Sequence, residues 1–313
     1  MAVLTHSEVA KLAGEKTSQH WHWFTYHFER IDDSGRGQPL AASVVNALVT
    51  CDSAMPGYAA KSLATMGAIG GNEKFLPHYD QLLQYLAELH VVLQAVSFDW
   101  GAPVRFLLEP TAEGSKKNPE LTVECGGVIF GIEVKAPALR AHAELRGTNR
   151  TQVPSRGFTS DMLDQLKGTD EKLTLPRDNP VKDFLVSANA KFESFKKRDA
   201  SFVGILVIVW DDHVYEPISS LLHKHSGLFT PQSFHVDSTG KAVTYPNVDG
   251  VFVIRQLHQL VRATRELPLG DGRVDPLEFG EAGSFPFKIF IQNPHGNLVP
   301  GVMCQRSPEN VVF

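Results

Sequence analysis

Nine consecutive residues, Phe202–Trp210 (FVGILVIVW), form an unbroken apolar run. A half-exposed strand would alternate apolar with polar residues, because successive side chains leave opposite faces. This run does not alternate. It is the signature of a strand buried on both faces, which occurs inside parallel or mixed sheets covered by helices on both sides.

The flanking sequence supplies the other parts of such an α/β fold. Thr5-x-x-Glu8 has the form of a capping box opening a short helix. Residues 39–51 and 57–68 read as helices, each beginning with or following a proline. Residues 73–95 carry Leu82, Leu83, Leu86, Leu89, Val92 and Leu93 at helical spacing. After Gly101 the texture turns to strands: Val104–Leu108, then Leu121–Cys125 and Val128–Lys135 across the turn pair Gly126-Gly127. Residues 136–157, with Pro137, Pro154 and four arginines, read as irregular. Residues 159–168 and 181–197 read as helices. Val251–Ile254 reads as a last strand running into a helix at 255–265, and the tail from Pro268 gives no clear pattern. The order implies a helical module over 1–72, an α/β core with a mixed sheet over 73–266, and a C-terminal extension over 267–313.

Within the core, one segment concentrates charge on otherwise apolar strands: NPELTVECGGVIFGIEVKA, residues 118–136. Glu133 and Lys135 are two apart, so in a strand both leave one face while Ile132 and Val134 leave the other, toward a core. The segment reads as a buried strand near a sheet edge, with Glu120 opposite. Two carboxylates and a backbone carbonyl, that of Val134, make a hard oxygen site for Mg2+, for which Mn2+ can substitute. A lysine beside them can hold the attacking water or stabilise developing charge in phosphodiester hydrolysis. Glu124, four residues after Glu120, shares its face in a regular strand and competes for the second ligand position. A Glu-x-Lys pair is also a common exposed charge pair, as Asp170-Glu171-Lys172 illustrates in a polar stretch without an apolar strand.

The pattern Pro119-Glu120, then Glu133-x-Lys135, in an αβββαβ order resembles the PD-(D/E)XK, or restriction-endonuclease-like, nuclease superfamily over roughly residues 75–210. The family's first acid is usually aspartate, and here it is glutamate. The resemblance implies Glu120 and Glu133 as Mg2+ ligands and Lys135 as the catalytic lysine. It further implies Gln165, in DMLDQLK, as an accessory catalytic residue, and Glu88, on the helix before the first strand, as an additional acid.

The formal net charge is −5, yet residues 101–209 carry 16 basic against 14 acidic side chains and are the one net-positive third. Local positive charge is what a polyanion needs. Arg140, Arg146, Arg150 and Arg156 are candidates to contact a phosphate backbone. Lys191, Lys196, Lys197 and Arg198 near a helix end are explained by the helix dipole. The three cysteines form no CxxC pair, which points to a reducing, cytoplasmic setting without structural zinc. No apolar run approaches the ~18 residues of a membrane span, and no P-loop, Gly-x-Gly-x-x-Gly or Gly-x-Ser-x-Gly occurs. The expectation is a Mg2+-dependent endonuclease acting on nucleic acid, DNA in preference to RNA, with room for a homodimer. The alternative is a non-catalytic nucleic-acid-binding or regulatory protein of the same fold.

Overall fold

The computed structural model describes residues 4–18, 25–28, 38–70, 75–111, 117–149, 151–153, 156, 165, 173–278 and 288–300. In chain order the elements are α1 (His6–Thr17), α2 (Thr25–Phe28), α3 (Pro39–Ala54), α4 (Tyr58–Ala68), α5 (Leu76–Ser97), β1 (Val104–Leu108), β2 (Leu121–Cys125), β3 (Val128–Lys135) and α6 (Leu139–Thr148). They continue as β4 (Thr151–Gln152), β5 (Leu173–Thr174), α7 (Pro180–Arg198), β6 (Phe202–Trp210), α8 (Tyr215–Leu222), β7 (Gly250–Arg255), α9 (Leu257–Ala263) and β8 (Lys288–Gln292).

The fold is α/β with a mixed six-stranded sheet in the order β1-β2-β3-β6-β7-β8. β1, β2 and β3 pair antiparallel, β3, β6 and β7 pair parallel, and β8 closes the far edge antiparallel to β7. β6 is buried at every position, as its unbroken apolar run requires. The residues of β6 divide between two cores. Ile205, Val207 and Val209, with Ile132 and Val134 of β3, belong to one apolar cluster with residues of α1, α3, α4 and α5. Leu206, Ile208 and Trp210 meet Val181, Leu185, Ala188, Phe192 and Phe195 of α7. One apolar cluster thus runs from Val9 on α1 to the sheet, so the N-terminal helices and the strands share a core. Among the described residues, no helix is long and apolar enough to cross a membrane.

Local chemistry explains the starts and turns. The Thr5 hydroxyl accepts from the Glu8 amide, and the Glu8 carboxylate accepts from the Thr5 amide, forming the expected capping box. Gly126 and Gly127 take φ of 56° and 80°, the paired left-handed conformation of a two-residue hairpin turn. At Gly131 a Cβ would stand 2.1 Å from the Phe202 ring, so β3 and β6 depend on glycine there.

Three expectations change. β3 is third of six strands, not an edge strand, so its charged residues lie on a face of the sheet away from either edge. Residues 136–157 are not irregular throughout: α6 and β4 lie there, because the helix formers of LRAHAELR outweigh the flanking proline and glycine. The tail supplies β8, whose Ile289 and Ile291 alternate into the core. The helix expected over 159–168 lies outside the described residues except at Gln165, which is helical.

Asp249, at the entry to β7, is fully buried. It accepts from the Gly204 amide (2.7 Å), the Asn297 amide and the Lys196 ammonium, joining β6, α7 and the C-terminal segment. Asp249→Ala leaves two amides without their acceptor and a nearly buried ammonium with the Pro246 carbonyl but no counter-charge. It is expected to cost about 3–5 kcal/mol, read as a lowered midpoint in chemical unfolding.

Candidate active site

The hairpin register pairs Leu121 with Ile132, so the residue before β2, Glu120, falls opposite Glu133. The Glu109 amide donates to the Glu120 carbonyl at 2.8 Å and extends the ladder to that residue. On β3, Glu133 and Lys135 leave the face toward α7, and Ile132 and Val134 leave the other, as the strand period requires. Val134 is fully buried and in register with Val207.

Glu133 has no solvent exposure. The Lys135 ammonium stands 2.8 Å from its Oε1. A second ammonium reaches the same carboxylate from α7: Lys191 Nζ lies 2.8 Å from Oε1 and donates to Oε2 at 2.9 Å. Lys191 also donates to Glu120 Oε1 at 3.1 Å. One nitrogen therefore joins the two acids. Oε1 of Glu133 is buried with both ammonium groups 2.8 Å away, so the charge of this carboxylate is balanced inside the protein.

The third acid, Glu88 on α5, accepts from Gln84 Nε2 at 3.2 Å and lines a cleft with Glu120, Tyr58, Tyr85 and Lys61. Burial, then repulsion from Glu120, pushes the Glu88 carboxyl up to about 7. The Glu120 carboxyl is also raised, by burial and by Glu133, with Lys191 opposing. Burial lowers the proton affinity of Lys191, but attraction to Glu133 and Glu120 outweighs it and the net direction is upward. Burial, with the neighbouring carboxylates adding to it, thus keeps a proton on Glu88 up to about 7.

That proton has a stability consequence. A free Glu88 carboxyl releases its proton near 4.5, whereas in the fold it holds it to about 7. The folded chain binds more protons in that window, so stability falls as pH rises through it. Glu88→Gln removes the penalty and retains an acceptor for Gln84. It is expected to stabilise the metal-free protein by about 1–3 kcal/mol at pH 8 and by almost nothing at pH 5, read from unfolding midpoints at the two pH values.

Glu124 does not compete for the site. It lies at the other end of β2, about 13 Å along the strand from Glu120 at ~3.3 Å per residue, and pairs with Arg105 at 3.4 Å. Gln165 is exposed, and among the described residues none of the contacts joining the acids involves it. The arginines separate. Arg140 stacks over the Tyr79 ring at 4.4 Å. Arg146 donates to the Gln152 side chain at 3.2 Å. Arg156 is largely buried, pairs with Asp178 at 3.3 Å and donates to Ser219 Oγ at 2.9 Å. Arg150 lies outside the described residues. Arg140 and Arg156 thus have internal partners, and Arg146 keeps the exposure that a phosphate contact needs.

Lys191 is the residue that sequence reasoning missed. It is not in the last turn of α7, where Lys196, Lys197 and Arg198 lie, so the helix dipole does not account for it. The signal was its position: three after Ala188 and four before Phe195, on the buried stripe of the helix. A lysine there needs an anion.

Glu120 and Glu133 offer carboxylate oxygens of the kind a hard divalent cation takes, and the Lys191 ammonium already stands between them. With Lys191 between them, no group of three or more His, Cys, Asp or Glu side chains converges on a metal position among the described residues. Comparison with models of protein families, with curated proteins and with solved structures found no match to this chain.

Proposed function

We propose that the protein is a cytoplasmic, Mg2+-dependent endonuclease that hydrolyses phosphodiester bonds, with DNA preferred over RNA and a PD-(D/E)XK-like core. The reading rests on one observation: Glu120, just before β2, and Glu133, on the adjacent strand β3, bind a single cationic group while Lys135 stands beside them. Two buried free cysteines, Cys51 and Cys125, accord with a reducing compartment.

Glu120 and Glu133 are the residues to hold the ion, with Glu88 joining once its proton leaves and the Val134 carbonyl as a further oxygen. A bound Mg2+ supplies charge neutralisation at the scissile phosphate and a more acidic water. Lys135, 16% exposed at the mouth of the cluster, holds and orients the attacking water and offsets charge that develops on the phosphate. Because Glu88 is protonated below about 7, metal uptake releases a proton and strengthens as pH rises through that value.

A second reading draws on the same lysine. Lys191 already neutralises both acids, so the cluster can stand as a closed ion network in a non-catalytic nucleic-acid-binding protein. The full chain, incubated with plasmid DNA, single-stranded DNA and RNA in millimolar Mg2+ or Mn2+, separates the two. The enzyme reading expects metal-dependent breaks, with DNA cut faster than RNA. Survival of every substrate would leave only the non-catalytic reading.

A further inference from the structure

We propose that the cavity between α5 and the sheet binds a small monocarboxylate with an apolar body, its headgroup held by Lys288 and Gln94. Ile132 lines this cavity, so it lies across the sheet from Glu133 and Lys135. Its ligand is independent of what the acids do.

The pairing register builds the floor. Ile132 pairs with Ile205, Val207 with Phe252, and Ile254 with Lys288. Paired residues leave one face of a sheet, so a row of apolar side chains crosses β3, β6 and β7 and ends on the Lys288 of β8. Ala95 and Phe98 of α5 lie over that row. The space between measures about 90 Å3. One water needs about 10–15 Å3 of such space, so there is room for roughly six to nine water-sized groups, the bulk of a short acyl chain.

Two donors in this apolar setting lack acceptors. Gln94 Nε2 is buried and has no hydrogen-bond partner. Lys288 makes no ion pair among the described residues, and no described carboxylate lines the cavity. Burial alone pulls its proton affinity below the ordinary lysine value, with no neighbouring charge opposing. A lysine on an edge strand commonly serves to blunt that edge, with its ammonium in water. β8 is an edge strand, but that role requires neither a cavity nor an unpartnered amide in the same cavity.

One negative charge supplies what burial withholds from Lys288. A carboxylate accepts from an ammonium and an amide N–H at once, and its hydrocarbon covers the apolar row. A phosphate monoester brings up to two charges and three acceptor oxygens, more than one ammonium and one amide satisfy. A neutral alcohol leaves the ammonium without a counter-charge.

The test titrates the full chain with octanoate, below its micelle concentration, and with 1-octanol, both by calorimetry. Wild type is expected to bind octanoate with Kd of roughly 0.1–1 mM. It is expected to bind octanol at least ~10-fold more weakly, since a hydrogen bond to a charged group is lost. Lys288→Met keeps the length of the side chain and removes the charge. It is expected to weaken octanoate at least ~10-fold and to leave octanol unchanged or tighter. Ala95→Leu fills the space and is expected to weaken both ligands at least ~5-fold. Folding of each variant is checked by melting, and Lys288→Met decides the matter by itself if Ala95→Leu does not fold. No octanoate binding by wild type, octanol bound as tightly as octanoate, or octanoate affinity unchanged in Lys288→Met overturns the site. So does a folded Ala95→Leu that binds octanoate like wild type.

Discussion

Lys135→Met is expected to lower Mg2+-dependent cleavage by about 10³-fold or more, with Mn2+ affinity kept or slightly raised. The size follows from the work assigned to the ammonium. Positioned proton transfer and charge stabilisation each contribute on the order of 10²–10⁴, and Met fills the space without either. The persistence of metal binding follows from geometry, because among the described residues Lys135 pairs with Glu133 alone and bridges no two acids. A variant that loses Mn2+ binding together with cleavage would show that Lys135 holds the acids in place and does no chemistry. A variant that cleaves within tenfold of wild type would remove Lys135 from the site. Lys135→Arg is expected to recover little, since a planar guanidinium does not reproduce the compact charge of an ammonium.

How much of this was legible in the chain depends on which physical rule fixes each residue. Glu133 and Lys135 were readable because a strand has period two and Ile132 and Val134 had to face a core. The choice between Glu120 and Glu124 was not, because a regular strand through both would put them on one face and only the pairing register decides between them. The register sets Glu120 opposite Glu133 and leaves Glu124 to Arg105. Lys191 was readable in principle, from a charged residue on an apolar helical stripe, but its partners are 58 and 71 residues away and no local rule names them. The arginines between Arg140 and Arg156 looked alike in sequence. Tyr79, Asp178 and Ser219, which engage two of them, come from distant elements. The buried run of β6 and the α/β class were legible because they depend on composition over many residues, where single contacts matter little. β8 was obscured by the prolines and glycines around it.

Glu133→Ala should separate what the cluster does for the fold from what it does for chemistry. Both ammonium groups lose their shared partner, and a cavity opens at a fully buried position. Breaking a buried pair costs about 3–5 kcal/mol when the surviving charge stays buried. Here Lys135 and Lys191 are 16% and 23% exposed, and Lys191 keeps Glu120, so about 2–3 kcal/mol is the expected loss. Adding Lys191→Met to Glu133→Ala removes one of the stranded charges. The double variant should therefore be more stable than the two single losses added together predict, by about 1 kcal/mol or more. Cleavage should not follow stability. Without Glu133 the ion loses its most buried ligand, so Mn2+ affinity is expected to fall at least ~10²-fold and cleavage at least ~10³-fold in both the single and the double variant. Chemical unfolding, calorimetry and a plasmid assay on the same four proteins read all three quantities. Stability restored together with cleavage would mean that Glu133 serves only the fold. Cleavage that stays lost after stability returns is what a metal-ligating carboxylate requires.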